Sequence, residues 1–150
     1  LQPGENCSNA IALTFAGNVA SATGDTTTAF NDNASADPSP SCSSSAKTDG
    51  RDLVYSYTLT AAADVNITLT PTSPPAPTTY APGLYVRSVC ADTSLPNQLA
   101  CVASFSSAPQ TALFSNQQPG TYFVWVDSTG ATAGPFSLTI TRNPPSIAPT

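Results

Sequence analysis

The chain has 150 residues, of which 9% are charged, and its four basic and nine acidic side chains give a net charge of −5. Phosphate backbones and anionic membrane surfaces are held by clustered lysines and arginines, and the basic residues here are few and scattered, so neither nucleic acid nor a membrane surface is an expected partner. No apolar run approaches the ~18 residues of a membrane-spanning helix, and membrane insertion is not expected either.

Alternating apolar and polar residues predict strands through the first half of the chain. The alternating segments are residues 11–17, 52–60 and 65–70. The last two follow each other closely and are predicted to form a hairpin or a near-hairpin. Between the first two, residues 31–50 are almost entirely polar or small and have nothing to bury, so they predict a long loop that is tied down at Cys42.

The second half of the chain opens with a proline-rich segment, residues 71–82. Each proline lacks an amide donor and cannot sit in a central strand, so this segment predicts a stiff exposed loop. The runs GLYVRSVC and QLACVAS then predict a hairpin. Residues 121–128 are apolar on both faces, which predicts a central strand. The last strand is predicted to turn three residues inward, namely Phe136, Leu138 and Ile140.

Many short strands with frequent turn signals, and no segment of helical period, predict an all-β protein. The specific expectation is an antiparallel β-sandwich of jelly-roll type with about eight to ten strands. The chain shows no internal repeat and no boundary of a second domain. We therefore expect one sandwich domain over residues 1–142, followed by a proline-rich arm or linker over residues 143–150.

The chain has four cysteines and no histidine. Without a CxxC spacing or a histidine ligand a zinc site is disfavoured, and two disulfides are the better prediction. The predicted hairpin places Cys90 and Cys101 at the ends of its two strands, which favours a bridge between them and leaves Cys7 to pair with Cys42. The other connectivities of the four cysteines stay open.

Two features predict a secreted or cell-surface protein. Disulfides persist in oxidising compartments, and the chain starts at Leu1 without a methionine, as after removal of a signal peptide. Three N-x-S/T patterns add candidate glycosylation sites at Asn6, Asn33 and Asn66. Serine and threonine are so frequent that chance matches are common, and the sequence leaves open whether any of the three carries a glycan.

Asp49 and Asp52 lie on either side of Arg51 at the start of a predicted strand. An aspartate in this position accepts amide hydrogen bonds in the turn, and Arg51 offers a charge partner, so turn pinning is the preferred interpretation. Two alternatives are a cation site and a pair that faces solvent without a role. Calcium would be the ion of the first, although calcium takes about six to eight oxygens. Further aspartates would then have to join, such as Asp25, Asp32 or Asp127. No other cofactor is predicted.

The residues of known catalytic arrangements are missing. Without histidine, the Ser-His-Asp and Cys-His arrangements are excluded, and disulfide-bonded cysteines are not nucleophiles. A pair of carboxylates could cleave a glycosidic bond, but Glu5 is the only glutamate and the aspartates lie in predicted turns, without an apolar pocket that would raise a pKa. We predict that the protein is not an enzyme.

The chain resembles the bacterial pre-peptidase C-terminal domain family in four segments, which are GENCSNAIAL, GRDLVYSYTLTAAADVNITLT, GLYVRSVC and PGTYFVWVDSTGATAGPFSLTIT. The likeness covers most of residues 4–141, and the pair LYVRSVCAD and LACVAS resembles the family's disulfide-bearing secreted form. This resemblance implies a jelly-roll-like sandwich attached to exported proteins, without catalysis of its own. Some relatives bind collagen, polysaccharide or calcium. The calcium-binding ones carry several acidic residues near their start, where this chain has only Glu5.

Two non-enzymatic functions fit these observations, and we favour the first. It is a structural subunit of an extracellular filament or surface assembly, a homopolymer held by β-edge addition or by a terminal arm whose Ile147 enters a groove on the next subunit. The second is an accessory module of a secreted hydrolase that binds polysaccharide or a fibrous protein through aromatic residues. Tyr80 and Tyr85 are its candidates, with Tyr80 expected at the surface, whereas Trp125 is expected in the core.

Overall fold

The computed structural model describes residues 2–31, 50–72, 80–92 and 97–146. Within them the chain forms one short 3-10 helix, Cys7–Asn9, and nine strands. The strands are β1 (Ile11–Ala12), β2 (Val19–Asp25), β3 (Leu53–Leu59), β4 (Ala63–Pro71), β5 (Pro82–Arg87), β6 (Gln98–Ala103), β7 (Gln110–Gln117), β8 (Gly120–Ser128) and β9 (Pro135–Asn143). Most of the predicted loops 31–50 and 71–82 lies outside the described residues.

The strands form two sheets that pack face to face. Sheet A has the order β1-β3-β8-β5-β6, and sheet B has the order β2-β9-β4-β7. All neighbours are antiparallel except β1 and β3, which are parallel. Consecutive strands alternate between the sheets, apart from β5 and β6, which form the hairpin predicted from the sequence. The predicted β-sandwich of jelly-roll type is confirmed.

The core lies between the sheets, where alternation along each strand turns apolar residues inward. The inward residues of β3 and β9 are those that the alternation predicts, namely Leu53, Tyr55, Tyr57, Leu59, Phe136, Leu138 and Ile140. The strand β8 lies between β3 and β5. This central position confirms the prediction made from its two apolar faces.

The predicted hairpin between residues 52–60 and 65–70 is wrong. The first segment is β3, which pairs with β8 in sheet A, and the second is β4, which pairs with β7 and β9 in sheet B. The short connection between them crosses from one sheet to the other, so their apolar faces meet through the core. A period of two residues shows which face of a strand is buried, but not which strand lies beside it.

The disulfide pairing predicted from the β5–β6 hairpin is also wrong. Cys7 is bonded to Cys90, with a sulfur–sulfur distance of 2.08 Å, which rules out both Cys90–Cys101 and Cys7–Cys42. The hairpin register sets Cys101 opposite Tyr85, while Cys90 lies beyond the end of β5. Two disulfides were predicted, and the structure describes one of them. Cys101 is not a free thiol, and Cys42 lies outside the described residues.

The N-terminal segment, residues 2–10, lies on the outer face of sheet A and leads into β1. The Val54 amide of β3 donates to the Gly4 carbonyl at 2.8 Å. The disulfide from Cys7 to Cys90 attaches the same segment to the residues that follow β5. Gly4 has a φ of 88°, which favours glycine, because an L side chain rarely adopts this conformation. Trp125 is buried beneath this segment. Its predicted burial is confirmed. Trp125 belongs to a small second core on the outer face of sheet A, which also contains Val54, Tyr85, Cys90 and Cys101.

The last strand runs to Asn143, one residue past the predicted domain boundary. Beyond it, the Ser146 amide donates to the Asp64 carboxylate at 3.0 Å, so the chain still follows the sandwich there. Ile147 lies outside the described residues, and its role as an assembly contact stays a prediction. No helix among the described residues is long and apolar enough to cross a membrane.

Candidate functional site

Two aspartates are fully buried at the start of β3 and the end of β8. They are Asp52 and Asp127, which the β3–β8 register places on adjacent strands. The two carboxyl oxygens of Asp127 accept hydrogen bonds from the Ser128 amide at 2.6 Å and from the Tyr85 hydroxyl at 2.9 Å. Burial, followed by the negative charge of Asp52, raises the pKa of Asp127 well above its usual range. Asp127 therefore holds its proton to a higher pH than an exposed aspartate does.

Arg87 is a fully buried cation on the same face of sheet A. Its guanidinium lies 4.9 Å from the ring centre of Tyr85 and 5.4 Å from that of Trp125, and these two rings are stacked on each other. Its Nη1 donates to the Cys90 carbonyl at 3.1 Å. Burial lowers the pKa of Arg87, while the neighbouring acidic groups, Tyr85 and Asp127 first among them, oppose that shift. The result is a closed cluster of acids, a cation and aromatic rings.

The two aromatic residues predicted to contact a ligand are both fully buried. The expectation that Tyr80 is exposed is wrong, because its hydroxyl donates to the Asp127 carbonyl at 2.9 Å and its ring packs against Phe136. The proline-rich segment thus ends inside the sandwich, just before β5. Tyr85 is held by Asp127 and Trp125. Neither ring is presented to a polysaccharide in this structure.

The turn before β3 was predicted to hold either a hydrogen-bonded aspartate or a cation. The Asp52 amide donates to the Phe30 carbonyl at 3.1 Å, and Arg51 donates to the Ala29 carbonyl at 2.6 Å. Asp49 lies outside the described residues. In the described part of the chain, no three acidic, cysteine or histidine side chains are grouped so that they could hold a metal. Turn pinning and calcium binding by Asp49 and Asp52 both stay predictions.

The raised pKa of Asp127 is expected to make the fold more stable in mild acid than at neutral pH. The unfolded chain releases this proton near the ordinary value of 3.8, whereas the folded chain holds it to higher pH. Asp127 therefore contributes its full stabilisation of the fold below the ordinary pKa of an aspartate. This contribution is lost as the pH rises through the raised pKa of the folded state. Replacing Asp127→Asn should flatten this dependence, because an amide does not titrate.

Urea unfolding of both proteins between about pH 4 and pH 7 measures the effect. Asp64→Asn is the matched control. Hydrogen bonds from Asn116 and Ser146 lower the pKa of the exposed Asp64 carboxyl, so its stabilisation is present above the ordinary carboxyl pKa and is lost only as the pH falls further. The control should keep the wild-type dependence. Equal slopes for wild type and Asp127→Asn would contradict the prediction.

The candidate glycosylation sites differ in their surroundings. Asn66 is exposed on the outer face of sheet B, where its Oδ1 accepts from the Thr68 hydroxyl at 3.2 Å. Asn6 caps the 3-10 helix, and its Oδ1 accepts from the amides of the residues that follow. Asn33 lies outside the described residues. Glycosylation at each of them stays a prediction.

The flank formed by β6, β7 and the connection 104–109 bears no charge and exposes several large apolar side chains. We name it the edge flank. Both strands are sheet edges, and charged side chains are among the features that usually protect natural edges. No charged residue lies between Asp92 and Asp127, a segment that includes both strands. Leu113 and Phe105 are 73% and 66% exposed, and Leu99 is exposed as well. This site is not among those predicted from the sequence, although the absence of charge is visible there.

A cleft lies at another end of the molecule, beside the start of β3. Its volume is about 380 Å³, and it is lined by Phe30, Asn31, Gly50, Arg51, Gly130 and Ala131. Phe30 is 55% exposed, so an aromatic ring and a guanidinium border the same opening. This combination could contact a ligand that carries both apolar and polar groups.

Comparison with known proteins supports the fold. No protein-family model matches the chain, and no curated protein matches its sequence. Among solved structures, the chain is similar to the pre-peptidase C-terminal domain of collagenase from Bacillus anthracis, with a TM-score of 0.52 and 14% identity, over 87% of this chain and 91% of that chain. The coat protein of tobacco streak virus aligns over 91% of this chain and 94% of that chain at 9% identity, with a TM-score of 0.29, too low to indicate a shared fold. The likeness to the collagenase domain supports a sandwich of the pre-peptidase C-terminal type.

Proposed function

We propose that the chain is a non-catalytic structural protein of an extracellular filament or surface assembly, which associates with copies of itself through its uncharged sheet edges. The observation that carries this proposal is the edge flank, whose two strands bear no charge and which exposes Leu113 on β7 and Phe105 in the connection. An edge strand presents unpaired amide and carbonyl groups to a second chain. β-Strand addition satisfies these groups and buries the apolar side chains at the same time.

The proposed location rests on covalent chemistry. The bond between Cys7 and Cys90 fixes the N-terminal segment to sheet A, and such bonds persist in oxidising compartments outside the cytosol. The low charge density of the chain also favours assembly, because neighbouring copies repel each other little. We propose no catalytic residue, since the carboxyls of Asp52 and Asp127 are fully buried.

Leu113→Lys is expected to weaken self-association about 10- to 100-fold. The leucine side chain would lose ~1.5 to 3 kcal/mol of burial at the interface, and the lysine would place a charge on an edge that has none. Sedimentation velocity over a range of concentrations measures the change. Thr121→Lys is the control, because it adds the same charge at an exposed position on sheet A. Equal profiles for the two variants would contradict the role of β7.

The cleft beside Phe30 and Arg51 favours a second candidate function, an accessory module that binds polysaccharide or a fibrous protein. The structurally similar domain is described as part of a collagenase, which fits a module attached to a hydrolase. If this second function is correct, we expect the wild-type protein to remain monomeric at every concentration. The same sedimentation experiment therefore separates the two functions.

A further inference from the structure

The N-terminal part of the chain is folded as a unit of its own. We name residues 2–15 the exchange segment. Its 3-10 helix is capped from within, because the Asn6 side chain accepts from the Asn9 amide at 3.2 Å. The Gly4 amide donates to the Asn9 carbonyl at 2.9 Å, and the Asn9 side chain donates to the Gln2 carbonyl at 3.1 Å. All of these bonds lie inside the exchange segment, so they stay intact if it moves as a whole.

The exchange segment is attached to the edge of sheet A. Gly4 and Leu13 are hydrogen-bonded to the backbone of β3, each at 2.8 Å, and between them β1 lies parallel to β3. The bond from Cys7 to Cys90 completes the attachment. A short strand added to a sheet edge in this way is an element that a second chain can also supply.

The exchange segment ends in a ring contact that is followed at once by a tight turn. Phe15 packs edge-on against Tyr57, with the ring centres 6.2 Å apart. Ala16 and Val19 then share two backbone hydrogen bonds, of 2.9 and 3.3 Å, so the loop between them has only two residues. The first of these, Gly17, has a φ of 63°, in the region that favours glycine. Short hinge loops of this kind invite the exchange of an element between copies.

Exchange between copies keeps the contacts of the closed chain. A segment from a second copy has the same sequence, so it fits the edge of sheet A with the same hydrogen bonds and the same disulfide. The bonds that are given up are those of the turn between Ala16 and Val19, which becomes an extended link between the two copies.

We infer that copies of the chain exchange this segment, so that residues 2–15 of one copy lie on sheet A of the next and Cys7 of the first chain is bonded to Cys90 of the second. The inference goes beyond the proposed function, because it needs no contact through the edge flank and it joins the copies covalently. Each copy gives its segment to one neighbour and receives a segment from another, so the contact is head-to-tail. Such a contact produces an open-ended fibre unless its rotation closes a ring.

The covalent step is a thiol–disulfide exchange that a small thiol such as glutathione starts. The glutathione thiolate attacks the Cys90 sulfur, the bond to Cys7 breaks, and Cys7 leaves as a thiolate. The Cys7 thiolate of a second copy then attacks the Cys90 sulfur of this mixed disulfide, forms the bond between the chains and releases the glutathione thiolate. Each bond that breaks is replaced by another, so the exchange involves no net oxidation or reduction.

Isotope mixing tests the exchange. Equal amounts of unlabelled protein and protein labelled with heavy nitrogen are unfolded and reduced together, refolded at high concentration in a glutathione redox buffer, and separated by size. Chymotrypsin then digests each fraction without reduction. Its sites after Phe15 and Leu99 separate the four cysteines from one another. In the oligomers, about half of the peptides that link Cys7 to Cys90 are expected to join a light chain to a heavy one. In the monomers none should do so.

The linked peptide that contains Cys101 is the internal control. Cys101 is not a free thiol, and it lies outside the exchange segment, so its disulfide should stay unmixed in both fractions. Mixing of this peptide to the same extent would show that the disulfides shuffle at random, and it would overturn the inference.

The length of the turn provides a second test. Deleting residues 17–18 removes the loop that lets the exchange segment fold back onto its own chain, so the oligomer fraction should rise and most of the monomer should be lost. Inserting a flexible glycine–serine linker after Gly17 should have the opposite effect. This insertion leaves every contact with sheet A in place, so it tests the inference even if the deletion variant fails to fold. An oligomer fraction that the linker leaves unchanged would contradict the inference.

The outcomes separate this inference from the proposed function. Contacts through the edge flank are noncovalent and dissociate in sodium dodecyl sulfate, whereas exchanged copies stay linked until a thiol is added. Polymers that contain only unmixed peptides linking Cys7 to Cys90 would overturn the inference and leave the proposed function standing. Mixed peptides together with unchanged association of Leu113→Lys would support the inference and overturn the role of the edge flank. Wild-type protein that stays monomeric at every concentration would overturn both.

Discussion

The substitution Arg87→Met is expected to destabilise the fold by about 3 to 5 kcal/mol. This is the usual cost of removing one charged partner from a buried group of opposite charges. Methionine keeps most of the length and apolar volume of the side chain, so the loss reports mainly on the charge. The guanidinium lies against the rings of Tyr85 and Trp125, and its charge interacts with Asp127 and Asp52. Without it, a negative charge on either buried carboxyl would be left uncompensated in the protein interior.

The loss should therefore be smaller in mild acid, where protonation of Asp127, whose pKa is raised by burial, removes its uncompensated charge. Urea unfolding at neutral and mildly acidic pH measures both effects. Arg142→Met is the control, since the Arg142 guanidinium lies 4.0 Å from the Phe15 ring at the protein surface and should contribute only about 0.5 to 1 kcal/mol. If the two substitutions cost the same, Arg87 does not balance the buried acids.

Removing the described disulfide is expected to have an effect of similar size. Cys7 and Cys90 are 83 residues apart in the chain. Closing so long a loop lowers the entropy of the unfolded chain, which raises its free energy by about 4 to 5 kcal/mol. The double substitution Cys7→Ser with Cys90→Ser should therefore lower the free energy of unfolding by about 3 to 5 kcal/mol. A loss below about 1 kcal/mol would show that the bond adds little to the noncovalent contacts of the N-terminal segment.

The same substitution should loosen one part of the molecule first. The N-terminal segment is held on sheet A by the disulfide and by the hydrogen bond from Val54 to Gly4, and Trp125 is buried beneath it. Faster hydrogen exchange at the Val54 amide and a red shift of Trp125 fluorescence should precede global unfolding. Unchanged exchange at Val54, with exchange at β9 as the reference, would contradict this order.

Local patterns in the sequence determined the class of fold and the buried face of most strands. Alternation in β3 and β9 identified their inward residues, and two apolar faces identified β8 as central, because these properties depend on positions two residues apart in one strand. The burial of Trp125 followed from the same information. The absence of charge between Asp92 and Asp127 was also visible, and it is a property of the sequence alone.

Only the tertiary structure decided which elements are neighbours. β3 and β4 are adjacent in the chain and lie in opposite sheets, and Cys90 pairs with Cys7 rather than with the nearer Cys101. Tyr80 is buried because its hydroxyl reaches the backbone of β8. Each of these contacts joins residues far apart in the chain, so it depends on how all the strands pack together. For the same reason, the uncharged segment became a candidate interface only when topology placed β7 at the edge of its sheet.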